Sequence, residues 1–144
     1  MAGERATLLG LLQFQRESLV RKVADVPAQA ATHSPLGSGT SLLWLVKHLT
    51  EAELSWFLVR FAGEEIDLPD QDAPPGDTIV AAVAAYRQAW ARVAPVIEQA
   101  DLDTNCRHVE ANLRWVLGHM LEETARHAGH ADILRELLDG QTGR

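Results

Sequence analysis

Residues 113–140 read LRWVLGHMLEETARHAGHADILRELLDG, and this stretch decides the fold. Apolar residues recur at Leu113, at Val116 or Leu117, at Met120, at Leu134, and at Leu137 or Leu138. Steps of three and four residues are the period of one helix face. Gly140 follows as a helix stop. Carried through the middle of the stretch, the same line passes Glu123, His127 and His130. The expectation is an inward stripe that changes from apolar to metal-ligand residue types for two turns and then changes back. Ionisable groups on a buried stripe are costly unless paired or bound to a metal, so the fold and the chemistry meet in this helix.

Working outward, three more segments carry helical patterning. The first runs from about Glu4 to Val26, with Leu8, Leu11, Leu12, Leu19, Val23 and Val26 on its apolar line and Arg16, Arg21 and Lys22 on other faces. A turn-rich loop covers Thr32 to Gly39. The second helix starts at Thr40 or Ser41, either able to cap it, and runs to about Phe61 before Ala62-Gly63. Its inner line is Leu42, Leu45, Leu49, Ala52 and Trp56, with His48 beside that line. An acidic, Pro-rich connection, residues 64–76, reads as an exposed loop. Asp77 or Thr78 caps the third helix, whose seam is Ile79, Val83, Tyr86, Trp90, Val93 and Ile97; Pro95 should kink or shorten its last turns. A loop from Asp101 to Ala111 leads to the fourth helix. Four long helices without strand patterning predict an all-α, four-helix bundle, one domain over residues 1–144, in up-down-down-up or simple up-and-down order.

Composition narrows the function. A net charge of −7 with no basic cluster argues against a phosphate-neutralising nucleic-acid surface. Cys106 is the lone cysteine, so no disulfide forms within the chain, and a reducing cytoplasm is the expected setting. No apolar run approaches a membrane span, and Met-Ala-Gly-Glu-Arg at the start lacks signal-peptide features.

Glu123 and His127 stand four residues apart, so both side chains reach one point, and His130 shares their broad face. His48 on the second helix can supply a third ligand from across the bundle. Two histidines and one carboxylate leave a coordination position open, as in catalytic zinc sites; nickel, iron and manganese also suit such a donor set. The opposing reading is ordinary: a helical Glu/His pair is usually a surface ion pair, and a half-buried histidine is usually satisfied by hydrogen bonds. His33, His108 and His119 have no evident partner, and the four tryptophans read as core or interface. Gly129, with Gly118 and Ala125, suggests a smooth surface for helix packing, including a dimer contact, ahead of substrate access.

These residues also carry a resemblance. Ser38-Gly39-Thr40-Ser41-Leu42 leading to Leu45-Val46-Lys47-His48-Leu49, the Glu53 and Trp56-Phe57 region, and Leu113-Arg114-Trp115-Val116 through Glu122-Glu123-Thr124-Ala125-Arg126-His127-Ala128-Gly129-His130-Ala131-Asp132 to Gly143 resemble the DinB superfamily, in the actinobacterial branch called mini-circle proteins. The resemblance spans nearly the whole chain. It implies a bundle that is usually a homodimer, with a divalent metal, zinc first, held by His48, Glu123 and His127. Many relatives carry His where this chain has Glu123; the mycothiol-dependent isomerases are similar in using Glu there. His130 falls where many relatives have Gln, and can line the pocket or replace Glu123 as ligand.

Characterised relatives use the metal to activate a low-molecular-weight thiol such as mycothiol or bacillithiol, which implies a thiol S-transferase or isomerase acting on a small electrophile, with Arg126 or His130 orienting the thiol's polar groups. The alternative is a non-catalytic, dimeric stress protein that binds a metal or small molecule. A third possibility is a purely structural bundle whose histidines are ion-paired.

Overall fold

The computed structural model describes residues 3–72, 74 and 76–143; Met1, Ala2, Ala73, Pro75 and Arg144, two of them in the expected 64–76 loop, lie outside the described residues. Among the described residues the chain forms α1 (Glu4–Val23), a short α2 (Ala28–Thr32), α3 (Leu42–Leu54), α4 (Ile79–Gln99) and α5 (Leu113–Asp139), with no strand. The fold is all-α, as the patterning predicts.

Local chemistry explains the boundaries. The Ser41, Thr78 and Asn112 side chains accept from the backbone N–H of Trp44, Ala81 and Trp115, which caps α3, α4 and α5. Of the paired alternatives for the caps, Ser41 and Thr78 are the ones used. Gly63 and Gly140 end their helices at φ 77° and 78°, a left-handed conformation open to glycine.

Three expectations change. The first helix ends at Val23 rather than near Val26, and a short helix, α2, precedes the turn-rich loop. The second helix does not stay α-helical to its end: Ser55–Ala62 is a π-helix, the wider form that recurs at functional sites. Pro95 does not shorten α4, which continues to Gln99.

Polar contacts between helix ends show the order of the bundle. Arg114 at the start of α5 meets Glu4 at the start of α1 at 2.6 Å, and Lys22 late in α1 lies 3.3 Å from Asp132 late in α5, so α1 and α5 run parallel. Lys47 in α3 reaches Asp77 ahead of α4 at 2.6 Å, and Arg92 in α4 lies 3.9 Å from Glu64 beyond the π-helix, so α3 and α4 also run parallel. Arg5 near the start of α1 donates to the Ile97 carbonyl near the end of α4 at 2.7 Å, which makes the two pairs opposed. The order is up-down-down-up, one of the two that the connections allow.

The core has two adjoining parts. Leu19, Leu42, Leu45, Tyr86 and Leu134 pack in one; Leu12, Phe57, Val93, Leu113 and Met120 pack in the other. Two side chains read as apolar-line members are largely exposed, Leu11 at 48% and Leu137 at 59%, while Leu138 packs against the core. Arg16 and Lys22, expected on faces other than the apolar line, are buried. Arg16 sits on the inner line between Leu12 and Leu19, where Glu53 neutralises it through two short bonds.

Candidate metal centre

The core-facing line of α5 runs Met120, Thr124, Ala128, Ala131 and Leu134, all buried. This corrects the expected stripe. Because a helix turns 3.6 residues per revolution, the band centred on Met120 passes through Thr124 and Ala128, and Glu123 and His127 fall on its shoulder. Both are half-buried, at the seam with α3, and His130 is exposed. Small residues at Thr124, Ala128 and Ala131 fill the interior, so the ionisable groups need not.

At that seam His48, half-buried on α3, meets both shoulder residues. Its Nε2 lies 2.8 Å from Glu123 Oε1, and His127 Nε2 lies 3.0 Å from the same oxygen. Among the described residues, His48, Glu123 and His127 form the cluster able to hold a metal ion: one ligand atom from each lies within 4.8 Å of the others. Two imidazole nitrogens and a carboxylate oxygen on two facing helices match the donor set of an open zinc site. Side-chain exposures of 20%, 24% and 12% leave the cluster reachable from one side.

The electrostatics suit a cation. Desolvation pushes the Glu123 carboxyl up, but the two imidazoles beside it, His48 and His127, outweigh it and hold the group below its ordinary value. Burial holds His127 below the ordinary histidine range despite the attraction of Glu123. The carboxylate is therefore kept ionised and the His127 ring kept neutral, the forms a metal needs.

The surroundings include groups the sequence did not assign here. Trp44, read as core or interface, is half-buried and stacks flat on His48, with ring centroids 4.7 Å apart and planes 6° apart; its edge faces His127 at 6.4 Å. Gln71, from the connection between α3 and α4, lies 3.0 Å from His48 Nδ1. A proline-rich, acidic loop carries no periodicity that could have flagged it. His130 Nδ1 lies 3.2 Å from His127 Nδ1, behind the ligand cluster. Arg126 pairs with Glu122 at 2.9 Å on the exposed flank of α5. His119 has partners after all: it stacks on Trp115 at 5.0 Å and packs on Trp56 at 4.4 Å, with Arg60 over the Trp56 ring. Gly129 is remote from the seam. It lines a groove with Gln15, Ser18 and Asp132, and a Cβ added there would meet nothing within 4 Å.

A family model described as mycothiol-S-transferase matches residues 7–140, which takes in all three seam residues. The chain belongs to this family. Membership in the mycothiol S-transferase family places it within the DinB superfamily that the sequence motifs resemble. No curated protein matches the chain. No helix among the described residues is long and apolar enough to cross a membrane.

Proposed function

We propose that this member of the mycothiol S-transferase family is a metal-dependent cytoplasmic enzyme that transfers a low-molecular-weight thiol of the mycothiol or bacillithiol type to a small electrophile. His48, Glu123 and His127 hold the ion, zinc first, with nickel, iron or manganese as the alternatives the same donors accept. The observation that carries this reading is the convergence of His48 Nε2 and His127 Nε2 on one oxygen of Glu123. A divalent ion held there lowers the pKa of a bound thiol and supplies a thiolate at neutral pH.

The chain's own residues do the rest. The Trp44 ring walls the seam on the His48 side and keeps water off that face. Arg126, exposed on α5 and paired with Glu122, or His130, offers donors for the polar groups of the thiol substrate. In the transfer, sulfur forms a bond to the electrophilic carbon, the leaving group departs with its bonding electrons, and the thiol proton goes to solvent.

The test uses zinc-loaded protein, mycothiol and monochlorobimane. Conjugation should run above the protein-free rate and fall to that rate in His48→Ala, with zinc content lost in parallel. Rates equal to the control with both mycothiol and bacillithiol would leave a non-catalytic metal-binding protein. Absence of bound metal from untagged wild type would remove the site altogether.

The proposal includes a homodimer. Exposed Leu11 on α1, and Ile133 and Leu137 on α5, support it as apolar surface for a second copy. Light scattering should return about twice the 15.8 kDa chain mass; a single-chain mass at every concentration refutes it.

A further inference from the structure

Gln71 belongs to the segment that joins α3 to α4, yet its carboxamide is held at both ends by α3. Its Nε2 donates to Glu51 Oε2 at 3.1 Å, and its Oε1 lies 3.0 Å from His48 Nδ1. The Glu51 carboxylate only accepts hydrogen bonds, so the amide nitrogen must face it. The amide oxygen then faces His48, and Nδ1 makes that contact only when it carries a hydrogen. With the hydrogen on Nδ1, the neutral ring keeps its lone pair on Nε2. Nε2 is the atom 2.8 Å from Glu123 Oε1. Two lone-pair atoms that close repel each other unless a proton or a metal ion lies between them. The chain Glu51–Gln71–His48 therefore selects, for the neutral ring, the tautomer that turns an open Nε2 toward Glu123, the form that accepts a metal ion at the seam.

We propose that Gln71 is a positioning residue of the metal centre. It fixes the tautomer and ring direction of His48, and it ties the segment between α3 and α4 to metal occupancy. The proposal rests on the reading of His48, Glu123 and His127 as ligands and goes beyond it by assigning Gln71 and Glu51. Partners on the far nitrogen of a ligand histidine change metal affinity by about tenfold to a hundredfold, so the effect is measurable without any turnover.

Zinc affinity of untagged protein, measured by competition with a chromogenic chelator, is the first readout. Gln71→Ala should weaken zinc by about tenfold to a hundredfold, with the melting temperature of the metal-free protein unchanged. The exchange Gln71→Glu with Glu51→Gln keeps both bonds, because the new carboxylate accepts from Nδ1 and from the new amide; it should restore affinity. The second readout is the nitrogen spectrum of the His48 ring in metal-free protein at a pH where it is neutral. Wild type should show the hydrogen on Nδ1, and Gln71→Ala should lose that preference. If wild type binds zinc and Gln71→Ala binds it equally well, the role of Gln71 is refuted while the metal site stands. A weaker Gln71→Ala with an unchanged ring spectrum and no rescue by the exchange also overturns it. If wild type binds no zinc, both readings fall together.

Discussion

Trp44 lies flat against His48, the two rings 4.7 Å apart and within 6° of parallel. They are four residues apart on α3, the spacing at which side chains on one helix face meet. If His48 holds a metal ion as proposed, an indole in contact with its ring reports directly on that ion. Nickel added to metal-free protein should quench tryptophan emission, and Trp44→Phe should remove most of the quenching although Trp56, Trp90 and Trp115 remain. Full quenching in Trp44→Phe would mean that nickel binds elsewhere.

The choice between Glu123 and His130 is open to direct titration. Glu123 Oε1 lies against Nε2 of both His48 and His127, whereas His130 touches His127 on its other ring nitrogen. Glu123→Ala should abolish tight zinc binding. His130→Ala should weaken it by about tenfold, as expected for a partner behind a ligand. Calorimetric titration separates the two, and equal losses would make His130 a ligand.

Acid should destabilise the seam even without metal. Burial holds His127 below the ordinary histidine value of 6.5. A histidine whose pKa is lower folded than unfolded takes up its proton less readily in the folded state. Its contribution to stability is thus complete above the unfolded pKa and is lost as pH falls from there through the folded pKa. Glu123, also held low, adds a loss at still lower pH, from its unfolded value downward. Between about pH 7.5 and about pH 5, metal-free wild type should lose more melting temperature than His127→Gln. An equal loss in both would mean that other groups govern the acid response.

The Arg16–Glu53 pair should behave as buried pairs do. Arg16 Nε and Nη2 donate to the two Glu53 oxygens at 2.7 and 2.6 Å, and Glu53 is fully buried. Glu53→Ala leaves a guanidinium uncompensated in the core and should cost about 3–5 kcal/mol in urea unfolding. Arg16→Met combined with Glu53→Leu should cost far less, because neither charge remains. A double variant as unstable as Glu53→Ala would show that the loss comes from packing rather than from charge.

How much of this was legible is clearest at particular residues. His48, Glu123 and His127 could be chosen because the spacing of Glu123 and His127 is fixed within one helix and His48 flanks the inner line of another. Their actual place, on the shoulder of α5 rather than in its buried stripe, depends on which neighbour α5 leans against, and no period within α5 encodes that. Arg16 was misplaced for the same reason. Its charge says surface; only the arrival of Glu53 from α3 makes the interior tolerable. Gln71 carried no signal, because a loop residue acquires its partners from the path of the chain.

The sequence by itself determined the four long helices and most of their ends, though not the short α2 or the π-helical end of the second helix. Periodicity, the Ser41, Thr78 and Asn112 caps and the Gly63 and Gly140 stops act over a few residues and can be read locally. It also determined the family, through motifs spread along nearly the whole chain. The tertiary structure decided what local chemistry leaves free: the parallel pairing of α1 with α5 and of α3 with α4, and the meeting of His48 with Glu123. It also decided the attachment of Gln71 behind His48. The physical reason is that packing between helices sums many weak contacts between residues distant in sequence. A single helix fixes which side chains share its face and says nothing of what that face will meet.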